Sequence, residues 1–173
     1  MELVDTMLKR RSVRSYTDED IPDEKLDKII KAGLLAPTSR NRKPCLFKIV
    51  KNKKILEELS KSKASGSAML EDANAAIVVF ADSQKADTWI EDSSIALAYM
   101  DLMANSEDVG SCWCQSHLRF SADDENSEDV VRNIFSMDSK YRVVGILSLG
   151  LPDKKPEPHT LSDIDETKIE YYD

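Results

Sequence analysis

The seven residues Ala75 to Ala81, with Ile77, Val78, Val79 and Phe80 at their heart, constrain the fold more than any other stretch. An apolar run of this length, rich in β-branched residues, has the make-up of a strand buried on both faces. Periodicity alone does not separate it from a buried helix segment. We read it as the centre of a sheet, and it is far short of a membrane span.

Helical patterns surround it. Leu3, Val4, Met7 and Leu8 share one face of a short helix that stops at Arg10 and Arg11, so its C-terminal end delivers cations. Ile21-Pro22-Asp23 starts a second helix, carried by Leu26, Ile29, Ile30 and Leu34 until Ala36-Pro37 ends it. Cys45 to Val50 reads as a strand and Lys53 to Ser62 as a helix. Trp89 to Asn105 is the longest helical pattern. It has Ile90, Leu97, Met100 and Met103 on or near one side, and the small residues Ser93, Ser94, Ala96 and Ala98 open it to close approach by another helix. A strand follows Val109-Gly110-Ser111, Glu128 to Phe135 gives a last helix, and Tyr141 to Leu149 a last core strand. The 173 residues suffice for one domain with a real core and leave no room for a second. From Pro152 the composition turns polar, and Ile169 and Tyr171 alternate as an added edge strand would. Residues 152–173 therefore read as an arm that completes another chain's sheet.

Charge narrows the partners. The formal net charge of -8 disfavours nucleic acid and anionic membranes. Residues 1–45 nevertheless carry ten Lys or Arg against eight Asp or Glu, a local cationic balance that suits a small anion. Three cysteines, with no cleavable apolar leader, point to reduced thiols in a cytoplasm. Cys112-Trp113-Cys114 falls short of a zinc site, since only His117 and His159 exist to complete four ligands, so we expect no metal and a packing role for these thiols. Trp89 and Trp113 read as core or interface aromatics. With five glycines, the chain has no G-x-G-x-x-G fingerprint, no G-x-x-x-x-G-K-S/T loop and no G-x-S-x-G elbow.

Two basic stretches could carry chemistry. Arg10-Arg11-Ser12-Val13-Arg14-Ser15 sets three guanidinium groups and two hydroxyls within six residues. Guanidinium forks match phosphate oxygens, although a solvated basic turn has the same composition. The loop Pro37 to Pro44 offers Thr38, Ser39 and Asn41 with Arg40, Arg42 and Lys43, donors and acceptors that could meet the edge of a flat heterocycle; a plain surface loop is the alternative. Together the stretches fit a ligand with a phosphate at one end and a polar ring at the other.

The order RRSVRSY, APTSRNRKPC, DVGSCW resembles the nitroreductase family of flavoproteins, and the match extends over most of the chain through AAIVVF, LSLGLP and the closing IEYY. The resemblance implies an α+β, three-layer fold with a mixed, mainly antiparallel sheet flanked by helices. It also implies a homodimer that exchanges a C-terminal strand and binds flavin mononucleotide (FMN) at its interface. By the family pattern Arg10, Ser12 and Arg14, with Arg11 close by, hold the phosphate and ribityl chain. Pro37, Thr38, Ser39 and Asn41 line the flavin from the partner subunit. Gly110 and Ser111 lie against the ring, and Gly150 with Lys154 or Lys155 reaches the phosphate end. The chain departs from the pattern at Lys43 and Cys45, where a Gln and an aromatic residue often flank the proline, and beyond Pro158, where Lys168 is the one Lys or Arg.

The implied activity is an FMN-dependent oxidoreductase taking hydride from NADH or NADPH and reducing nitroaromatic, quinone or related acceptors. The chemistry is carried by the flavin, with no catalytic side chain required. One open face serves donor and acceptor in turn, which predicts ping-pong kinetics. The alternative is a flavin-binding protein that stores or senses the cofactor with little turnover.

Overall fold

A computed structural model describes residues 2–172. Its core is one four-stranded sheet: β1 (Cys45–Val50), β2 (Ala75–Asp82), β3 (Gly110–Gln115) and β4 (Tyr141–Gly150), in the order β1-β2-β4-β3. All three ladders between these strands are antiparallel. The mixed character comes from an isolated parallel bridge between Ser12 and Ser111. Residues 75–81 form β2, a central strand whose side chains are fully buried.

Successive side chains of a strand point to opposite faces, and β2 feeds two cores in this way. Ile77 and Val79 pack with Leu147 and Leu149 of β4 beneath helices α2 (Asp23–Leu35) and α4 (Trp89–Ser106), through Leu26, Ile29, Leu97 and Met100. Val78 and Phe80 pack on the other face with Cys112, Cys114 and Ile146, against α3 (Lys53–Ser60) and α5 (Ser127–Ile134), through Leu56, Leu59 and Val131. The result is helices, sheet, helices: the expected three layers. Truncating Phe80 to alanine would cost about 3–5 kcal/mol.

Local chemistry sets the helix ends. The Asn52 side chain accepts from the backbone N–H of Lys54 and Ile55 to start α3, and Asn126 accepts from Glu128 to start α5. Proline at 37 disfavours the helical conformation of the residue before it, and Ala36, at ψ 133°, leaves α2 there.

The apolar face expected of the first helix, α1 (Leu3–Lys9), is uncovered: Leu3, Val4 and Met7 are exposed. So are Leu34 and Leu35 of α2 and Ile90, Ile95 and Tyr99 of α4. Ile90 therefore departs from its expected place beside Leu97 and Met100. Of the small residues in α4, Ser93 and Ala96 are used inside the chain, both buried, while Ala98 stays exposed. A groove of about 460 Å³, floored by Met7, Leu35, Tyr99 and Leu102, runs along this face.

Beyond residue 152 the chain is exposed, with two short 3-10 turns, Leu161–Asp163 and Glu166–Lys168. Ile169 is extended and its N–H turns back to Glu166 O at 3.1 Å, so the expected edge strand pairs with no other strand among the described residues.

Candidate functional site

Residues 12–17 lie across the ends of β3 and β4. Val13 N–H donates to Ser111 O at 2.8 Å, Thr17 N–H to Leu151 O at 2.9 Å, and Asp153 N–H to Ser15 O at 3.1 Å. Asn74 locks the far end, donating to Thr17 O at 3.0 Å and accepting from Leu151 N–H at 2.9 Å. Gly110 and Gly150 face each other across β3 and β4 beneath this strap. Their lack of side chains is required, since a Cβ on Gly110 would come 2.8 Å from Val13 Cγ1 and one on Gly150 2.5 Å from the Tyr16 ring. Both glycines thus let the basic strap lie on the sheet.

The strap brings Arg10, Arg11, Ser12, Arg14, Gly110, Ser111 and Gly150 to one end of the sheet. Asp101 of α4 accepts from Ser111 Oγ through one carboxylate oxygen and from Arg10 Nη1, at 3.4 Å, through the other. Arg11 donates to the carbonyl of Glu157 and so pins the arm instead of presenting its fork outward. Arg14 is exposed and makes no hydrogen bond or ion pair among the described residues. Lys155 pairs with Asp108 at 3.0 Å, whereas Lys154 is exposed without such a partner among the described residues. A cleft of about 280 Å³ opens here, lined by Lys9, Arg11, Gly110 and Lys155, with the Pro152, Pro156 and Pro158 segment as its rim. Asn105 also lines it, and its Oδ1 is buried with no hydrogen-bond partner.

Electrostatics at the strap are positive. The Cys112 thiol is pulled down to about 6, first by a hydrogen bond from Cys114, against the opposing effect of burial, and then by the charge of Arg14 and a hydrogen bond with Ser12. Cys114, hydrogen-bonded to Cys112 and more deeply buried, is pushed up. Tyr16 is likewise raised by burial; its hydroxyl donates within 2.8 Å of Val13 O and contacts Ser148 Oγ at 2.8 Å.

The other expected group lies elsewhere. The loop after α2 is anchored through Ser39 N–H, which donates to Asp92 Oδ1 at 2.9 Å. Asp92 is only 2% exposed and also accepts from Thr88 Oγ1. Thr38 Oγ1 accepts from Lys43 N–H at 3.0 Å, and Pro37 and Asn41 are exposed. Asp92 and Asp101 are nine residues apart on α4, which separates them by about 14 Å along the axis and half a turn around it. Hence the strap and the loop attach to opposite sides of one helix, and the single chain does not bring Pro37, Thr38, Ser39 and Asn41 to Arg10, Ser12 and Arg14.

The sequence reading missed Asn74, Asp92 and Asp101. Each is a polar residue next to or within an apolar pattern, at Ala73 to Ala81 and in the Trp89 helix, which is the one signal that could have marked them.

The model of the nitroreductase family matches residues 7–151, most of the chain and all of the sheet. The chain belongs to the nitroreductase family. A relative from Methanothermobacter thermautotrophicus (strain Delta H), provisionally named NADH dehydrogenase/NAD(P)H nitroreductase, is 30% identical over 98% of this chain and 87% of its own length. Among solved structures, an FMN-dependent nitroreductase from Clostridium difficile R20291 superposes with a TM-score of 0.95 at 38% identity, covering 98% of this chain and 99% of that one. The NADPH:FMN oxidoreductase of Vibrio harveyi, solved with NAD+, shares the fold at a TM-score of 0.76 and 24% identity over 99% of this chain and 79% of that one. No described helix of this chain is long and apolar enough to cross a membrane.

Proposed function

We propose that this chain is a homodimer that holds FMN at its subunit interface and uses NADH or NADPH to reduce nitroaromatic, quinone or related conjugated acceptors. The carrying observation is the Arg14 guanidinium, exposed and without a hydrogen bond or ion pair among the described residues, on the strap that Val13 and Ser111 hold against the end of β3. Such a fork beside Ser12 suits a phosphate. Asn105 Oδ1, buried and unpartnered at the neighbouring cleft, would accept from a hydroxyl such as a polyol chain carries. The donor set therefore fits FMN.

When bound, FMN would supply two-electron redox chemistry at a flat ring. Residues of the chain do the rest. Arg10 and Arg14 neutralise the phosphate, with Arg10 held in place by Asp101. Ser12 and the backbone of Gly110 and Ser111 line the site from the same subunit, and Lys154 stands within the arm that borders it. Thr38, Ser39 and Asn41 would come from the partner, because the opposite-side placement on α4 keeps them from the strap in their own chain. The exposed apolar residues of α1, α2 and α4 would be covered by that partner, and the arm from residue 152 would reach across to it, adding Ile169 and Tyr171 at a sheet edge. A site built this way would leave room for one visitor at a time, so donor and acceptor would take turns, the ping-pong order. Free thiols at Cys45, Cys112 and Cys114 suit a reducing, cytoplasmic setting.

The test is an absorbance spectrum of the purified protein before and after anaerobic NADH or NADPH. Flavin bands that bleach, followed by repeated turnover with menadione or a nitroaromatic, are expected. A protein that stays colourless after incubation with excess FMN overturns the reading, and bleaching without turnover leaves only a storage or sensing role.

A further inference from the structure

The loop between α2 and β1 is the most strained segment of the molecule. Arg40, Asn41 and Lys43 have φ of 50°, 54° and 47°, three left-handed non-glycine residues within four positions. Asparagine tolerates that region; a long side chain there is strained. Strain of this kind persists only where surrounding contacts impose it, and here they do. Ser39 N–H is held by buried Asp92, Lys43 N–H by Thr38 Oγ1, and Asn41 N–H donates to Thr38 O at 3.0 Å. From the other side Lys85 Nζ donates to Lys43 O at 3.0 Å, and Arg42 reaches Lys85 O and Asp87, each at 3.3 Å.

The charges of this rigid loop are used unequally. Arg42 is neutralised by Asp87. Arg40 and Lys43, both exposed, have side chains with no hydrogen bond or ion pair among the described residues. In a chain of net charge -8, carboxylates are plentiful, yet none is placed against these two cations. The anchored backbone thus presents both cations uncompensated, beside Thr38, Ser39 and Asn41.

We infer that Arg40 and Lys43 form an anion-capturing pair at the mouth of the ring site, selecting a visiting substrate by its negative group: the phosphates of the nicotinamide donor or a carboxylate on the acceptor. The inference rests on the flavin reading above, which places Thr38, Ser39 and Asn41 against the ring. The pair acts on the visitor alone, attracting its charge over a distance set by salt, with no covalent step.

The experiment compares wild type with R40E/K43E and R40Q/K43Q. Calorimetry with NADP+ as the probe is expected to show binding weakened about tenfold by R40E/K43E at low salt, less by R40Q/K43Q, with the difference lost in high salt. In turnover, the KM for NADPH rises in the same order, while that for neutral menadione serves as the reference. If instead only the KM for 4-nitrobenzoate moves, relative to 4-nitrobenzyl alcohol, the captured anion is the acceptor's. If NADP+ binding and both KM ratios stay within twofold of wild type, the pair captures nothing and the inference is overturned. Flavin content, read separately from absorbance, keeps the two readings apart. A colourless wild type sinks the flavin assignment; a yellow protein with charge-blind kinetics sinks only this one.

Discussion

Arg10 and Ser111 meet on one carboxylate: Asp101 takes the serine hydroxyl through Oδ1 and the guanidinium through Oδ2. Helix α4, strand β3 and the basic strap are thereby tied at a single side chain. Asp101→Ala leaves the buried Ser111 hydroxyl without its acceptor and should cost about 1–3 kcal/mol. Asp101→Asn keeps an acceptor for Ser111 and should cost less. Urea unfolding of wild type and the two variants checks the order; midpoints equal to that of wild type would show that Asp101 positions nothing.

Arg14 acts on two measurable quantities at once. Arg14→Ala should weaken FMN retention by about 1–3 kcal/mol, the range for a hydrogen bond to a charged group. It should also raise the Cys112 titration from about 6, because one of the influences holding that thiol down is removed while the Cys114 hydrogen bond stays. Thiolate absorbance followed against pH reads the second effect in the flavin-free protein. An unmoved titration would mean that the Arg14 charge does not reach the floor of the site.

Much of this was legible in the sequence because it rests on local patterns. The run at Ala75 to Ala81 identified the central strand, Ala36-Pro37 the end of α2, and the arginine cluster the strap. What was not legible depends on distance through space. Nothing in the spacing of Asp92 and Asp101 says that one anchors the ring loop and the other the strap; that follows from half a turn of helix. Arg11 looks equivalent to Arg10 and Arg14 in sequence, yet the arm folds back so that Glu157 O takes its fork. Ile90 fits the apolar pattern of α4, yet it lies in the first turn of the helix and is exposed.

Glu128 makes stability depend on acid. Its carboxylate is 1% exposed. Burial alone would raise its pKa, but the Arg142 fork at 2.8 and 2.9 Å, Val143 N–H at 3.0 Å and His117 Nδ1 at 2.7 Å outweigh burial and hold it below its usual 4.5. A carboxylate lowered on folding contributes stability that is fully present above its unfolded pKa and is lost as pH falls through the folded value. Unfolding free energy should therefore be flat in this respect above about pH 5 and decline below 4.5. Glu128→Gln should flatten that decline while lowering stability at pH 7 by about 1–3 kcal/mol, the cost of a lost charged hydrogen bond, since the Arg142 side chain left behind is 35% exposed and regains water. Matching acid slopes in wild type and variant would contradict the assignment.

The uncovered apolar face offers the sharpest test of how the site is assembled. Leu35 is 78% and Tyr99 44% exposed, and both border the groove of about 460 Å³ between α1, α2 and α4. If a second copy covers this face, a charge placed there must be desolvated on association, a penalty large enough to break a dimer. Leu35→Asp combined with Tyr99→Asp should give a folded monomer by light scattering, with the same helical circular dichroism as wild type. Because the ring loop and the basic strap sit on opposite sides of α4, that monomer should lose FMN even though Arg10, Ser12 and Arg14 are untouched. A monomer that keeps its flavin would place the whole site within one chain, and a variant that stays dimeric would move the interface to another face.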